Sequence, residues 1–312
     1  MQVFFNFVMD GLNLGSVYAL VALGYSMVYG IAKMLNFAHG DIIMVGGYAI
    51  YVMFLQKDLG IAAAVVASVI VCSLLGIIIE FLAYRPLRNA SPLSVLITAI
   101  GVSYLLQNIA LLTFTSELKL ISGFIKLPTF YVGPVRIDGV SILIWITTLA
   151  IMVALNYFIQ NTKTGKAMLA VSEDRGAAQL MGIDVNKTIT ITFFIGSALA
   201  GLASVLYIAK YQKIEPYTGS VFGIKAFSAA VFGGIGSIPG VALGGILIGL
   251  IEALAIGYLP DTLRPASDGV AFAILIIMLV LKPSGIWARP RLKRFKGGFG
   301  MKKLLKSKSL IF

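Results

Sequence analysis

Residues 162–187 read TKTGKAMLAVSEDRGAAQLMGIDVNK, and residues 188–209, which follow directly, read TITITFFIGSALAGLASVLYIA. The first stretch is polar, whereas the second contains no charged residue. A helix of about 20 apolar residues is long enough to cross the hydrocarbon layer of a bilayer. We therefore interpret 162–187 as a polar island that connects two membrane-spanning helices.

The composition of the whole chain agrees with this interpretation. Hydrophobic residues make up 59% of the 312 residues, charged residues make up 12%, and the mean hydropathy is +0.94. A soluble domain has roughly a quarter of its residues charged, so this class is excluded. Apolar runs lie at about 11–31, 42–56, 61–83, 93–114, 140–160, 188–209, 221–234, 240–258 and 268–281. We expect an all-α polytopic membrane protein with about eight to ten membrane segments.

The distribution of Lys and Arg predicts the orientation. If the island lies in the cytoplasm and the segments alternate, most of the 25 Lys and Arg residues lie on the inner side, as the positive-inside rule requires. We expect a multi-pass protein of the bacterial plasma (inner) membrane, with the N-terminus outside and the C-terminus cytoplasmic. The N-terminal MQVFFNFVMDG lacks a basic region and a cleavage site, so the first span should stay as an anchor.

Two regions are expected: a transmembrane domain at 1–288, with a cytoplasmic loop at 161–187, and a basic cytoplasmic tail at 289–312. The tail reads RPRLKRFKGGFGMKKLLKSKSLIF and contains no acid. Each basic residue near anionic lipid contributes about 1 kcal/mol to membrane attachment, so we expect the tail to bind anionic lipid. We expect no nucleic-acid binding, because no recognition fold accompanies the charge.

The island contains the signals of a short helix from Glu173 to Met181, about 13 Å long. Ser172 is a suitable N-cap, Glu173 and Asp174 lie where the helix dipole favours acids, and Gly182 is suited to ending the helix. Small and apolar side chains would form the surface of its last turns: Ala177, Ala178, Leu180 and Met181. A connection between two spans does not require such a helix, whereas a docking site for a soluble partner does.

The stretch AAVFGGIGSIPGVALGGILIG (229–249) predicts a helix pair broken by glycine and proline. Its centre contains Gly233, Gly234, Gly236, Pro239 and Gly240. Gly236, Gly240 and Gly244 recur every fourth residue, which would place them on one helical face. One interpretation is tight packing of helices through small residues. The other is a discontinuous helix pair that lines a transport path, because non-helical backbone at membrane depth requires such a setting.

Polar residues inside the apolar segments are the remaining candidates. In KMLNFAHGDIIMVGGY (33–48), Asn36, His39 and Asp41 form a cluster. One interpretation is a capped interfacial turn, with His39 and Asp41 in the headgroup region; the other is that His39 and Asp41 relay protons or bind a metal. Glu80 is expected to lean toward Arg85. Glu252 has no obvious local partner, and since intramembrane carboxylates usually face the bundle interior, it is a functional candidate.

Catalytic signatures are absent from the sequence. The phosphate-binding pattern fails because Gly165 and Lys166 are followed by Ala167, and no zinc-protease or nucleophile-elbow motif occurs. Cys72 is the only cysteine. We expect no catalytic residue, no metal and no cofactor on this chain; if ATP is used, another chain binds it.

Four stretches resemble one family: LGSVYALVALGYSMVYGIAKMLNFAHGDIIMVGGY (14–48), AVSEDRGAAQLMGIDV (170–185), KAFSAAVFGGIGSIPGVALGGILIGLIEAL (225–254) and LVLKPSGIW (279–287). They are similar to permease subunits of branched-chain amino-acid ABC importers, and most closely to the H-type (LivH-like) subunit. The resemblance implies a second homologous permease subunit, two cytoplasmic ATPase subunits and an extracytoplasmic substrate-binding protein.

The same resemblance implies that the loop meeting the ATPase contains Glu173, Asp174, Arg175, Ala177, Ala178, Met181 and Gly182. The translocation path would use Asn36, His39, Asp41, Gly233, Gly234, Gly236, Gly240 and Glu252. Replacing Ala178 by Arg should then leave folding intact and uncouple ATP hydrolysis from uptake.

The alternative is an ion-gradient-driven secondary transporter of small polar solutes, for which His39, Asp41 and Glu252 are the candidates. An integral-membrane enzyme is the least favoured class.

Overall fold

The computed structural model describes residues 2–132, 135–260, 262, 264–282 and 285–287, and within them the fold is all-α with two small sheets. The helices are α1 Gln2–Ala32, α2 His39–Ile50, α3 Gly60–Ile79, α4 Pro92–Phe114, α5 Gly139–Asn161, α6 Lys163–Glu173, α7 Arg175–Leu180, α8 Val185–Tyr211, α9 Thr218–Gly233, α10 Ile238–Tyr258 and α11 Ser267–Leu281. π-helical turns extend α2 to Gln56 and α3 to Tyr84. The strands are β1 Lys119–Leu120, β2 Thr129–Val132, β3 Val135–Asp138 and β4 Lys213–Ile214.

Six of the described helices are long and apolar enough to cross a membrane: α1, α3 with its π turn, α4, α5, α8 and α10. Shorter apolar helices occur at Thr218–Gly233 and Phe272–Leu281. Each of the nine apolar runs read from the sequence coincides with a helix, and the prediction of an all-α polytopic membrane protein is confirmed. The basic tail at 289–312 lies outside the described residues.

The centre of the bundle is the seam between α1 and α10. A Cβ atom added at Gly245 would lie 2.4 Å from the Cα of Ala19, and one at Gly249 would lie 2.2 Å from the backbone nitrogen of Gly15. Real Cβ contacts are not this short, so glycine is required for the two backbones to approach so closely. Close backbone approach places α1 where α8, α9 and α10 all pack against it.

Helices α9 and α10 form the broken pair that the glycine-rich stretch predicts. Helix α9 ends at Gly233, and Gly234 has a φ of +100°, a left-handed conformation that a side chain would strain. Gly233 packs against Gly240: a Cβ added at Gly233 would lie 2.1 Å from the carbonyl oxygen of Gly240. Tight packing through glycine is therefore present. The expected face with Gly236 is wrong, because α10 begins at Ile238 and Gly236 precedes it.

Helices α2 and α9 both begin inside the protein. His39 and Asp41 at the start of α2 are 1% and 0% exposed, and Thr218 at the start of α9 is 6% exposed. The first turns of the two helices are in close contact through Gly40 and Gly219. A Cβ added at Gly40 would lie 2.1 Å from the carbonyl oxygen of Gly219. Two helix starts thus meet in the interior of the bundle, which matters for the polar residues discussed below.

The two sheets are short and join connecting segments. Strand β1 pairs antiparallel with β4, with Lys119 opposite Ile214, and β2 pairs antiparallel with β3, with Phe130 opposite Ile137. The first sheet links the α4–α5 connection to the segment between α8 and α9. The end of the bundle at which α4 and α8 finish is therefore tied together by backbone hydrogen bonds.

Candidate functional site

The polar island folds into two helices, α6 and α7, separated by Asp174. Asp174 Oδ1 accepts a hydrogen bond of 3.0 Å from the backbone N–H of Ala177, so Asp174 is the N-cap of α7. The predicted cap at Ser172 is wrong, because Ser172 lies inside α6 and donates its hydroxyl to the carbonyl of Leu169. Glu173 likewise ends α6 and does not begin α7. We call residues 174–184 the docking turn.

The C-terminal half of the docking turn is held by backbone hydrogen bonds. Gly182 has a φ of +81° and donates its N–H to the carbonyl of Gln179 at 3.0 Å. Ile183 donates to the carbonyl of Ala178, also at 3.0 Å. These are the two bonds of a Schellman motif, so the prediction that Gly182 ends this helix is confirmed.

The docking turn exposes two large apolar side chains. Leu180 is 91% exposed and Met181 is 82% exposed, while Ala177 is exposed beside them. Ala178 is only 4% exposed and belongs to the core. The expectation that an arginine at Ala178 leaves folding intact is therefore wrong, because a charged side chain there would have to enter packed space.

A groove of about 670 Å³ separates the docking turn from the α3–α4 connection. Arg85 and Arg88 line one side, and Arg175 and Gln179 line the other. Arg175 donates to the carbonyl of Ala32, the last residue of α1, where a cation is favoured by the helix dipole. Burial lowers the pKa of the Arg175 guanidinium, and the positive charge of Arg88 lowers it further.

Glu80 joins α3 to α8 at this end of the bundle. Its carboxylate accepts hydrogen bonds from Arg88 and, at 2.9 Å, from the hydroxyl of Thr190. The expected partner Arg85 is wrong: its guanidinium lies 5.3 Å from the centre of the Phe81 ring. Glu80 is the first residue of the π turn that extends α3, and Arg88 lies eight residues later in the chain.

Glu252 does have a partner inside the bundle. Lys225 Nζ on α9 lies 2.7 Å from Glu252 Oε1 on α10, and the hydroxyl of Tyr18 on α1 donates to Glu252 Oε2 at 3.0 Å. Lys225 and Glu252 are both 4% exposed. The expectation that Glu252 lacks a partner was limited to nearby residues, and it does not hold for the folded chain. We call Tyr18, Lys225 and Glu252 the buried ion-pair centre.

Residues of the α1–α2 connection and of the first turn of α2 form a second buried polar cluster. The Tyr84 hydroxyl donates to Asn36 Oδ1 at 2.9 Å, and Gln107 Nε2 donates to Asp41 Oδ1 at 3.0 Å. His39 lies beneath Gly24, where a Cβ would be 2.8 Å from its Nε2 atom. All three predicted residues are at most 2% exposed, so the interpretation as a turn in the headgroup region is wrong.

Aromatic rings on α1 and α9 lie between the buried ion-pair centre and the second buried polar cluster. The ring centroids of Tyr18 and Phe222 are 5.3 Å apart, and those of Tyr25 and Phe227 are 5.5 Å apart. Tyr25 also lies edge-on to His39 at 6.1 Å. The α1–α9 interface therefore combines apolar rings with a polar cluster near each end. A translocation role for Asn36, His39, Asp41, Gly233, Gly234, Gly236, Gly240 and Glu252 stays a prediction.

The fold and these sites define a multi-pass α-helical membrane protein with buried polar centres and a docking turn outside the helix bundle. The family described as "Branched-chain amino acid transport system / permease component" matches residues 7–279. The chain belongs to this family, and it is a permease component rather than a catalytic subunit.

Individual relatives agree over nearly the whole chain. The high-affinity branched-chain amino acid transport system permease protein LivH of Escherichia coli K12 is 41% identical over 91% of this chain and 96% of its own. The corresponding protein BraD of Pseudomonas aeruginosa is 43% identical over the same shares. A solved structure, PsaBC from Streptococcus pneumoniae in complex with Fab, gives a TM-score of 0.49 at 17% identity, covering 90% of this chain and 93% of that chain.

Proposed function

We propose that this chain is the membrane-spanning permease subunit of an ATP-binding-cassette importer that carries branched-chain or related small amino acids into the cell. The family match over residues 7–279 and the printed functions of the LivH and BraD relatives support this proposal. In the proposed complex the chain pairs with a second homologous permease and binds an extracytoplasmic substrate-binding protein. It lies in the bacterial inner membrane, with its C-terminus cytoplasmic, its basic tail on anionic lipid, and no cofactor of its own.

The observation that carries the proposal is the exposure of Leu180 and Met181 on a rigid turn. Fully burying one such side chain contributes about 1.5–3 kcal/mol. Large apolar side chains held in place on a surface are typical of protein interaction sites. We assign this surface to the two cytoplasmic ATPase subunits, one on each permease, which hydrolyse the ATP.

The contacts of the docking turn supply a route for coupling. Arg175 is bonded to the end of α1 at Ala32, and Asp184 caps the start of α8 by accepting from the N–H of Lys187 at 3.0 Å. Displacement of the docking turn would therefore move α1 and α8 together. The loop that follows Ala32 carries Asn36 and leads to His39, so the same displacement reaches the buried polar cluster. Closure of the ATPases would in this way shift the bundle between outward- and inward-facing states.

One of the residues on which the ion-gradient alternative depends already has partners inside the bundle. The alternative required an ion or proton site, for which His39, Asp41 and Glu252 were the three candidates. In the structure Glu252 is held by Lys225 at 2.7 Å and by Tyr18 at 3.0 Å. A buried carboxylate with a lysine partner is already neutralised, so no observation here favours a gradient-driven transporter over the importer.

The test uses the whole complex in proteoliposomes, with the leucine-loaded binding protein on the outside. A Leu180→Gln/Met181→Gln double variant should lose at least about tenfold in stimulated ATPase activity and uptake, because two exposed apolar contacts are removed. Leu120→Gln is the matched control, since Leu120 on β1 is 64% exposed in a segment remote from the docking turn.

Normal stimulation and uptake by the double variant would contradict the docking assignment. Leucine uptake that follows a proton or sodium gradient without ATP would contradict the importer itself. The second result would return attention to His39 and Asp41.

A further inference from the structure

A second cavity, of about 310 Å³, lies at the end of the bundle opposite the docking turn. Helix α8 begins at Val185 beside the docking turn, and its Lys210 lines this cavity. The two sites are therefore about 38 Å apart along the axis of α8. The other walls come from the first turns of α1, from β3 and from the start of α5. We call this cavity the distal pocket.

Charged groups of both signs line the distal pocket. Lys210 Nζ lies 2.9 Å from Asp138 Oδ2 and donates to the Ser141 hydroxyl at 3.2 Å. An ammonium has three donors, so one more remains for a ligand oxygen after these two bonds. Asp10, from the first turns of α1, adds a second carboxylate to the lining. Since Asp138 is paired with Lys210, the Asp10 carboxylate gives the described lining a surplus negative charge, which favours a ligand that carries an ammonium group.

Two buried polar groups at the pocket have unmet hydrogen-bonding capacity. Asn13 is 1% exposed, and its Oδ1 atom accepts no hydrogen bond from any described residue. The indole Nε1 of Trp145 is buried and donates to no described residue. A buried donor or acceptor without a partner costs about 1–3 kcal/mol, so a ligand that supplies both partners would recover part of this free energy.

The remaining wall is apolar. Met9 from α1 and Ile137 from β3 face the same space as the indole ring of Trp145. A small number of polar groups that fix orientation, combined with an apolar wall, is the usual composition of a small-molecule site. The volume of about 310 Å³ is at the lower end of the range for such sites, which favours a small ligand.

We propose that the distal pocket binds a zwitterionic amino acid with a short apolar side chain before it is translocated, an inference that rests on the proposed function. The α-ammonium lies between the Asp10 carboxylate and Asn13 Oδ1. The carboxylate accepts from the Trp145 indole N–H and from Lys210. The side chain packs against Met9 and Ile137. The site gives the importer a permease-borne contact with the substrate, separate from the external binding protein.

The experiment measures equilibrium binding of radiolabelled leucine to the purified complex without the external binding protein. We expect saturable binding that weakens about tenfold in Asp10→Asn, which loses the charge but keeps the shape. Trp145→Phe keeps the ring and loses the N–H, and should weaken binding about fivefold. Asp58→Asn is the matched control, because Asp58 is an exposed carboxylate outside the pocket with a φ of +50° that asparagine tolerates.

Competition with leucine fragments tests the assigned polarity. 3-Methylbutylamine, which lacks the carboxylate, should displace leucine better than 4-methylpentanoate, which lacks the ammonium, because carboxylates outnumber cations in the described lining. The reverse order, an absence of saturable binding, or equal affinity of the wild-type and Asp10→Asn complexes would overturn the site. In each case ATP-driven leucine uptake by the same wild-type complex, with its binding protein, decides the proposed function separately.

Discussion

Replacing Lys225 by methionine should destabilise the protein more than most single substitutions. The change removes the ammonium 2.7 Å from Glu252 Oε1 and leaves a carboxylate that is 4% exposed. At an effective dielectric constant of about 20, two unit charges at this separation attract by ~6 kcal/mol. Part of this attraction offsets the cost of taking both charges out of water, so the net loss on breaking the pair is about 3–5 kcal/mol.

The assay is thermal unfolding of the full complex in lipid nanodiscs. A loss of this size should lower the unfolding temperature by about 6–20 °C, because 1 kcal/mol corresponds to roughly 2–4 °C in domains of about 150–250 residues. Lys213→Met is the matched control, since Lys213 on β4 is exposed and a surface substitution changes stability by about 0.5 kcal/mol or less.

The double variant Lys225→Met/Glu252→Gln distinguishes the net contribution of the ion pair from the cost of leaving one buried charge unpaired. It contains no uncompensated charge, and the introduced glutamine keeps an amide oxygen that can accept from Tyr18, so stability should return to within about 1 kcal/mol of the wild type. A double variant that is less stable than either single variant would refute this reasoning. So would a Lys225→Met protein as stable as the control.

Two further changes test the close contacts of the fold. Gly245→Val should prevent assembly of a monodisperse complex, because its Cβ would lie 2.4 Å from the Cα of Ala19. Gly101→Val should be purified in normal yield, because no described atom outside its own helical turns lies within 4 Å of the added Cβ. Asp174→Ala removes the cap of α7 and should cost the docking turn about 1 kcal/mol, measured as faster amide hydrogen exchange at Ala177 with the transmembrane helices unchanged.

The membrane-spanning helices were predictable because the bilayer imposes a length on them. Runs of about 20 apolar residues appear in the sequence as α3, α4, α5, α8 and α10, and the Gly-Pro signals at 233–240 correctly separate α9 from α10. The length rule does not specify which face of a helix meets which neighbour. The approach of Gly245 to Ala19 therefore had no signal beyond the presence of glycine.

The docking turn shows that local capping signals do not by themselves determine where a helix begins. Ser172 and Asp174 are both good caps, and the sequence offers no local reason to prefer one. The choice is made by packing: α6 continues through Ser172 because Met168 and Val171, on its inner face, are 0% and 1% exposed. The cap then falls on the next suitable residue, Asp174. In α7, which follows this cap, Ala178 is buried and Leu180 is exposed.

The distal pocket was missed although its residues carry a signal. Asp10 and Asn13 lie three residues apart near the start of the first span, so they share a face of α1. Their partners Asp138 and Lys210 belong to β3 and α8, more than a hundred residues away in the chain, and no periodicity connects them. Only the folded bundle brings these groups around one space.

Lys225 is the signal that would have found the partner of Glu252. A charged side chain inside a membrane segment usually pairs with an opposite charge, because solvating it in hydrocarbon is costly. The runs 221–234 and 240–258 are consecutive and connected by a short glycine-rich turn, so they must lie antiparallel and adjacent. One contains a lone lysine and the other a lone glutamate, and adjacency makes the pairing the only inexpensive arrangement. The pair also explains why α9, which is too short to span the membrane, stays against α10: separating them would expose both charges to the apolar interior.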